Sequence, residues 1–314
     1  MRKSWTEESR TLTQRSDEDE PEELIALRVD SSGDRDAAPV LVLASPNCLP
    51  ALLGCLATRS GRRRQLSAAR RVARDFSARG FCVCDGGLAS HVVAAAVAEV
   101  SSLALSPGGF VQNGVRLPSA DPQGPPPSRR DLVCMLSVVA SNAAAIKVID
   151  GALECFGRNL LDALAAAADD PEDGVGELGT GPAGGILSYA GRSDMQIARY
   201  PGGGSGYTAH VDNGDGDGRT HDLGRVLTLV YYLTDMSACD GGALRLHLLP
   251  TVAIAEPAVA TANEQCTASA TCTAVVDVVP RAGMLVAFRA DKVMHEVRPC
   301  WRDRFALTVW ILAK

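Results

Sequence analysis

The segment RYPGGGSGYTAHVDNGDGDGR, residues 199–219, gathers glycines, aspartates, two tyrosines and a histidine inside an alanine-rich chain. Turns account for glycine and aspartate, but not for a histidine and a carboxylate two positions apart. Side chains alternate between the faces of a strand, so His210 and Asp212 are expected on one face, with Val211 turned away. A neutral imidazole beside a carboxylate supplies two-thirds of a metal site. The run Gly202–Gly204 has neither the lysine nor the following helix of a phosphate loop. It reads as a tight turn where backbone approaches a substrate.

The third ligand has to come from the remaining histidines, since the chain holds only His91, His210, His221, His247 and His295. His221 adjoins Asp222, and neighbouring residues face opposite sides of a strand, so it reads as loop. His247, in LRLHLL, reads as a sheet residue, and His91 lies on a helix. His295 opens the last hairpin, where a jelly roll returns its chain to the first strand. Two histidines and a carboxylate on one face of iron leave three positions for a chelating cosubstrate and dioxygen. A 2-oxo acid with a distal carboxylate also needs a cation deeper in the barrel. Arg304 follows His295 by nine residues and shares a strand face with Ala306, Thr308 and Trp310. Its guanidinium can grip a carboxylate through two charge-assisted hydrogen bonds. Tyr232, in LVYYL, is a candidate phenol donor from the facing strand.

Working outward, MQIARY, RVLTLVYYL, GALRLHLL, AVVDVV, GMLVAF and RFALTVWIL are β-rich runs separated by Gly, Pro and Asp. Before them come helical periods. In residues 64–79, Leu66, Ala69, Val72 and Phe76 recur at spacings of three to four, and a strand FCVCD follows Gly80. Further helices are expected over 86–104 and 143–168. Helices first and strands afterwards predict an α+β fold, an antiparallel sandwich or barrel backed by helices. Residues 1–60 read as a disordered or weakly ordered arm. Residues 61–190 form a helical support region with a long mobile loop at 106–130, and 191–314 form the core.

The net charge of −6 offers no basic field for nucleic acid. Aromatics are only 4% of the chain, so aliphatic side chains and alanine must fill the core. Ten dispersed cysteines without a CxxC pair read as reduced thiols. The apolar run 40–57 is interrupted by Pro46 and Pro50 and reads as buried core rather than a membrane span. A soluble monomer, cytoplasmic or nuclear, is expected.

Three stretches, ARYPGGGSGYTAHVDNGDGDGR, YYLTDMSACDGGALRL and HEVRPCWRDRFALTVW, closely resemble the HIF prolyl hydroxylase (EGLN/PHD) group of prolyl 4-hydroxylases, Fe(II)- and 2-oxoglutarate-dependent dioxygenases. The resemblance is dense over 191–250 and 280–310, weaker over 64–190 and absent before about residue 60. It implies a double-stranded β-helix (jelly-roll) core, and hydroxylation of a proline residue in a protein or peptide. Fe(II), 2-oxoglutarate, dioxygen and L-ascorbate would be its cofactors, and oxygen sensing a possible role of the group. The resemblance makes His210, Asp212 and His295 the iron ligands. Arg304 would bind the distal carboxylate, assisted by Tyr232, Tyr200 and Thr308. Tyr207 and Trp310 would line the pocket near metal and peptide, and Arg129 and Asp131 would capture peptide from the mobile loop. Three features depart from the group: an inserted THDLG at 220–224, a lengthened loop over 251–275, and an end at Lys314 without the group's C-terminal helical tail. An oxygenase acting on another residue or a small molecule, and a silent jelly-roll binding module, are the competing readings.

Overall fold

In the computed structural model, the residues described are 80–85, 88–112, 130–139, 143–168, 188–213, 224–247 and 275–314, with short pieces at 24–26, 28–30, 41–43, 72–73, 76 and 141. The elements run in the order β1 (Leu24–Ala26), β2 (Arg28–Asp30), β3 (Leu41–Leu43), β4 (Phe81–Asp85), α1 (Ser90–Leu105), β5 (Val111–Gln112), β6 (Leu132–Met135), α2 (Leu136–Val139), α3 (Ala144–Ala168), β7 (Tyr189–Arg192), β8 (Gln196–Pro201), β9 (Ser205–His210), β10 (Arg225–Tyr232), β11 (Leu244–His247), β12 (Val275–Val278), β13 (Met284–Arg289), β14 (His295–Cys300) and β15 (Asp303–Ala313).

Strands β4-β13-β10-β15-β8-β6-β5, with β7 beside β15, make a major sheet of eight strands. Strands β2-β12-β11-β14-β9 make a minor sheet of five, and their pairings are antiparallel. This is the jelly roll expected from the sequence. All six β-rich runs form strands, and the helices expected over 86–104 and 143–168 form α1 and α3. Of the helix expected over 64–79, Val72, Ala73 and Phe76 are described, all helical and buried. Most of the 1–60 arm, residues 113–129 of the loop expected at 106–130, and the expected insertions at 220–223 and 251–274 lie outside the described residues. Within the arm three short strands are described, and β2 pairs with β12 at the edge of the minor sheet.

The major sheet is buried on both faces because its strands alternate two apolar sets. On β15, Phe305, Leu307, Val309 and Ile311 pack outward with Ile149, Leu153, Phe156 and Leu160 of α3. On β10, Leu227, Leu229 and Tyr231 do the same, while Val230 and Tyr232 turn inward with Leu244, Leu246, Val276 and Val297 of the minor sheet. Helix α3 is held from both sides. Glu99 of α1 accepts the first-turn amides of Ala145 at 2.8 Å and Ile146 at 3.0 Å, satisfying two donors that a helix start leaves open. Arg192 of β7 reaches Asp150 at 2.5 Å and Glu154 at 3.0 Å.

The turn Gly202–Gly204 joins β8 to β9, with φ of +71°, +63° and +81°. Its close neighbour is Trp301, the tip of the β14–β15 hairpin, whose carbonyl oxygen would lie 3.0 Å from a Cβ at Gly202. At Gly202 the turn packs against the backbone of the β14–β15 hairpin.

Helix α3 crosses the sheet at Gly157, where a Cβ would lie 2.5 Å from Ile311 Cδ1 and 3.2 Å from Leu229 Cδ1. Leucine favours a helix over glycine by about 0.8 kcal/mol, but overpacking costs about 1–3 kcal/mol or more. Gly157→Leu is expected to lower stability by about 2 kcal/mol, read as a fall in urea midpoint at unchanged slope. An unchanged midpoint would show that the helix and sheet are not this close.

Candidate active site

The cavity between the two sheets is lined from both, with Arg304 at its deep end and His210, Asp212 and His295 at the other. The ligand atoms of those three residues all lie within 4.8 Å of one another. His210 ends β9 and His295 begins β14, and the two are partners in the antiparallel register. Asp212 is placed differently from the sequence expectation. The strand stops at His210, and Asp212 sits in the turn that follows, so the chain's change of direction brings it beside His210 rather than the pleat alternation.

Both imidazoles are oriented by backbone. His210 Nδ1 lies 2.9 Å from the Thr208 carbonyl and His295 Nδ1 lies 3.1 Å from the Val293 carbonyl. A carbonyl can only accept, so each Nδ1 carries the proton and each Nε2 presents a lone pair. Those Nε2 atoms face Asp212, at 3.4 Å from Oδ1 for His210 and 3.7 Å from Oδ2 for His295. Burial pushes the His295 pKa down despite the nearby Asp212, keeping the ring neutral and able to ligate.

Thr228 donates to Asp212 Oδ2 at 2.6 Å and the Trp310 indole donates to the same oxygen at 2.9 Å. Oδ1 is left towards the histidines. Burial alone would raise the Asp212 pKa, but the neighbouring imidazoles and the Thr228 and Trp310 donors hold it well below the usual carboxylate range. An ionised carboxylate and two neutral imidazoles on one side of a point suit a divalent transition metal. Tyr207 stacks on His210 at 3.7 Å, and Arg225 lies 4.2 Å over the Trp310 ring.

Arg304 is 1% exposed, with its guanidinium 4.8 Å over Tyr200 and 5.1 Å over Tyr232. Its Nε and the Tyr232 hydroxyl are buried without a hydrogen-bond partner, and among the described residues no carboxylate pairs with it. Burial pushes the Tyr232 phenol pKa up, so it remains a donor. A buried cation without an acid fits a site made for an anionic ligand. Tyr232 comes not from a facing strand but from β10, hydrogen-bonded beside β15, with Tyr232 opposite Ala306.

Of the residues read from sequence, His210, Asp212, His295, Arg304, Tyr200, Tyr207, Thr308 and Trp310 all line this cavity. Arg129 lies outside the described residues. Asp131 is fully buried just before β6. Thr228 and Arg225 were not found in the sequence. The signal for Thr228 was available, because it shares a strand face with Tyr232 four residues on.

Residues 195–312 match the 2OG-Fe(II) oxygenase superfamily. The matched span takes in His210, Asp212, His295 and Arg304. Over 127 residues the chain is 36% identical to the hypoxia-inducible factor prolyl hydroxylase of Caenorhabditis elegans, covering 40% of this chain and 14% of that protein. It is 34% identical over 129 residues to human Egl nine homolog 1, covering 40% and 24%. The chain thus spans well under two-thirds of these relatives. Among solved structures, a Trichoplax adhaerens prolyl hydroxylase in complex with a hypoxia-inducible factor peptide fragment superposes with TM-score 0.55 at 23% identity, over 81% of this chain and 93% of that one. A Pseudomonas putida prolyl-4-hydroxylase gives TM-score 0.52 at 21% identity, over 78% and 99%. At these identities the likeness shows the fold.

Removing the Thr228 donor should loosen Asp212 without removing a ligand. Thr228→Val is expected to weaken Mn(II) binding by about tenfold, the scale for groups that orient a ligand, measured by calorimetric titration. Equal affinity would show that Trp310 alone fixes the carboxylate.

Proposed function

We propose that this chain is an Fe(II)- and 2-oxoglutarate-dependent dioxygenase that hydroxylates a proline residue in a protein. The carrying observation is one cavity with a two-histidine, one-carboxylate set at one end and a buried, acid-free guanidinium at the other. The named relatives support the choice of a prolyl substrate. Iron and 2-oxoglutarate, when bound, activate dioxygen so that one oxygen atom enters succinate, formed with carbon dioxide, and the other enters the proline ring as hydroxyl.

The chain's own residues do the rest. His210, Asp212 and His295 hold the metal on one side, leaving its other side to cosubstrate and dioxygen. Arg304 takes the distal carboxylate, with Tyr200 and Tyr232 around it, and Thr308, four residues along the same strand face, contacts the cosubstrate nearer the metal end. Tyr207, Trp310 and Arg225, at the metal end, orient the incoming peptide and exclude water from the reacting atoms. Arg129 takes part in capturing the peptide. Ascorbate keeps the iron reduced between turnovers. Among the described residues no helix is long and apolar enough to cross a membrane. The enzyme acts as a monomer on a cytoplasmic or nuclear protein.

The test is to incubate the Fe(II)-loaded protein with 2-oxoglutarate, ascorbate and proline-containing peptides. The expected result is one oxygen atom gained on proline, matched by succinate. Succinate release with no peptide modified would overturn the choice of substrate. His210→Ala and Asp212→Ala are expected to abolish succinate release. Arg304→Ala is expected to raise the 2-oxoglutarate requirement by about 100-fold or more, since a charge-assisted pair contributes roughly 3 kcal/mol.

A further inference from the structure

Strand β8 sends Gln196, Ala198 and Tyr200 into the cavity by the same alternation that sends Arg304, Ala306 and Thr308 in from β15. The register pairs them directly: Tyr200 with Arg304, Ala198 with Ala306, and Gln196 with Thr308. The next inward residue of β15 is Trp310, which donates to Asp212. Gln196 therefore stands at a defined depth, past the guanidinium and before the metal-ligand layer. On the other side of β15, the residue opposite Thr308 is Val230, which also lines the cavity. Gln196 and Thr308 stand directly opposite each other, with Cβ atoms about 5 Å apart, in a wall otherwise built of Ala198, Ala306 and Val230.

We infer that Gln196 is a further cosubstrate-contacting residue, whose amide N–H donates to the chelating-end carboxylate of 2-oxoglutarate beside Thr308. The inference rests on the 2-oxoglutarate reading above. A five-carbon diacid anchored by Arg304 has to run along the inward row of β15 to reach the metal ligands. It passes Ala306, which offers no donor, and then the Gln196–Thr308 pair, which offers two. A neutral amide suits this depth. It stabilises an anion by hydrogen bonding without placing another charge beside His210, Asp212 and His295. An apolar side chain of equal length would fill the same volume and leave the carboxylate one donor short.

The test is calorimetric titration of 2-oxoglutarate into the Mn(II)-loaded full chain, without peptide and with oxygen excluded. Gln196→Met keeps the length and loses the donor, and is expected to weaken 2-oxoglutarate binding about tenfold. Gln196→Glu sets like charges together and is expected to weaken it about 100-fold or more. Gln196→Met should keep the Mn(II) affinity measured without cosubstrate, which a change in the metal ligands themselves would not. Should Gln196→Met fail to fold, Gln196→Leu is read in its place. Wild-type 2-oxoglutarate affinity in the methionine or leucine variant overturns the inference while leaving the proposed function standing. A wild-type protein that binds Mn(II) but no 2-oxoglutarate overturns both.

Discussion

The hydrogen bonds from Thr228 and Trp310 to one oxygen of Asp212 join the two sheets at the metal end. Thr228 and Trp310 are register partners on β10 and β15, within the major sheet. His210 and His295 are register partners on β9 and β14, within the minor sheet. Asp212 leaves the minor sheet through the turn after β9 and is caught by the major one. The spacing of the ligand set is thus set by how the two sheets pack, and not by any one strand. Buried packing tolerates little volume change, which makes the layer between the sheets the determinant of ligand geometry. Val230 and Val297 pack in that layer between the sheets.

At the deep end the constraint is electrostatic. A guanidinium as buried as that of Arg304 has lost most of its water, and no carboxylate among the described residues replaces it. The faces of Tyr200 and Tyr232 return part of the loss through cation–π attraction. The remainder stays until an anion arrives. An anion bound there, as in the proposed function, would supply the missing partner. Binding and stability are coupled here by mass action, so a diacid that fits is expected to stabilise the whole barrel.

Much of this was legible because strands have a period of two. Once β15 was read as a strand, Arg304, Thr308 and Trp310 had to share a face, and Phe305, Leu307 and Val309 the other, and the helix-facing and cavity-facing sets divide in that way. The same rule applied to β10 and β8 would have reached Thr228 from Tyr232 and Gln196 from Tyr200. Threonine and glutamine in a strand carry no chemical signature of their own, whereas histidine, aspartate and arginine do. Asp212 was found by a premise that does not hold, since turn geometry and not pleat alternation places it. The burial of Asp131 could not be read at all, because an Asp beside a Pro- and Gly-rich loop looks solvated. Which strand lies beside Tyr232 also depends on sheet order, and non-local pairing leaves no trace in a local pattern.

Strand β15 shows why function and stability can be varied separately in this fold. Its inward residues line the cavity and, on the proposed function, face cosubstrate and metal ligands, while its outward residues meet α3 near Gly157. Parity along one strand therefore sorts substitutions into those felt by the cosubstrate and those felt by the helix layer. The separation is incomplete at Trp310, which packs as a large apolar ring and also donates to Asp212. A phenylalanine there would keep most of the packing and lose the donor, so loss of metal affinity without loss of stability identifies the indole hydrogen bond as its contribution. That distinction between volume and hydrogen bonding recurs at Gln196 and Thr228, and it is the form in which this cavity's chemistry can be resolved residue by residue.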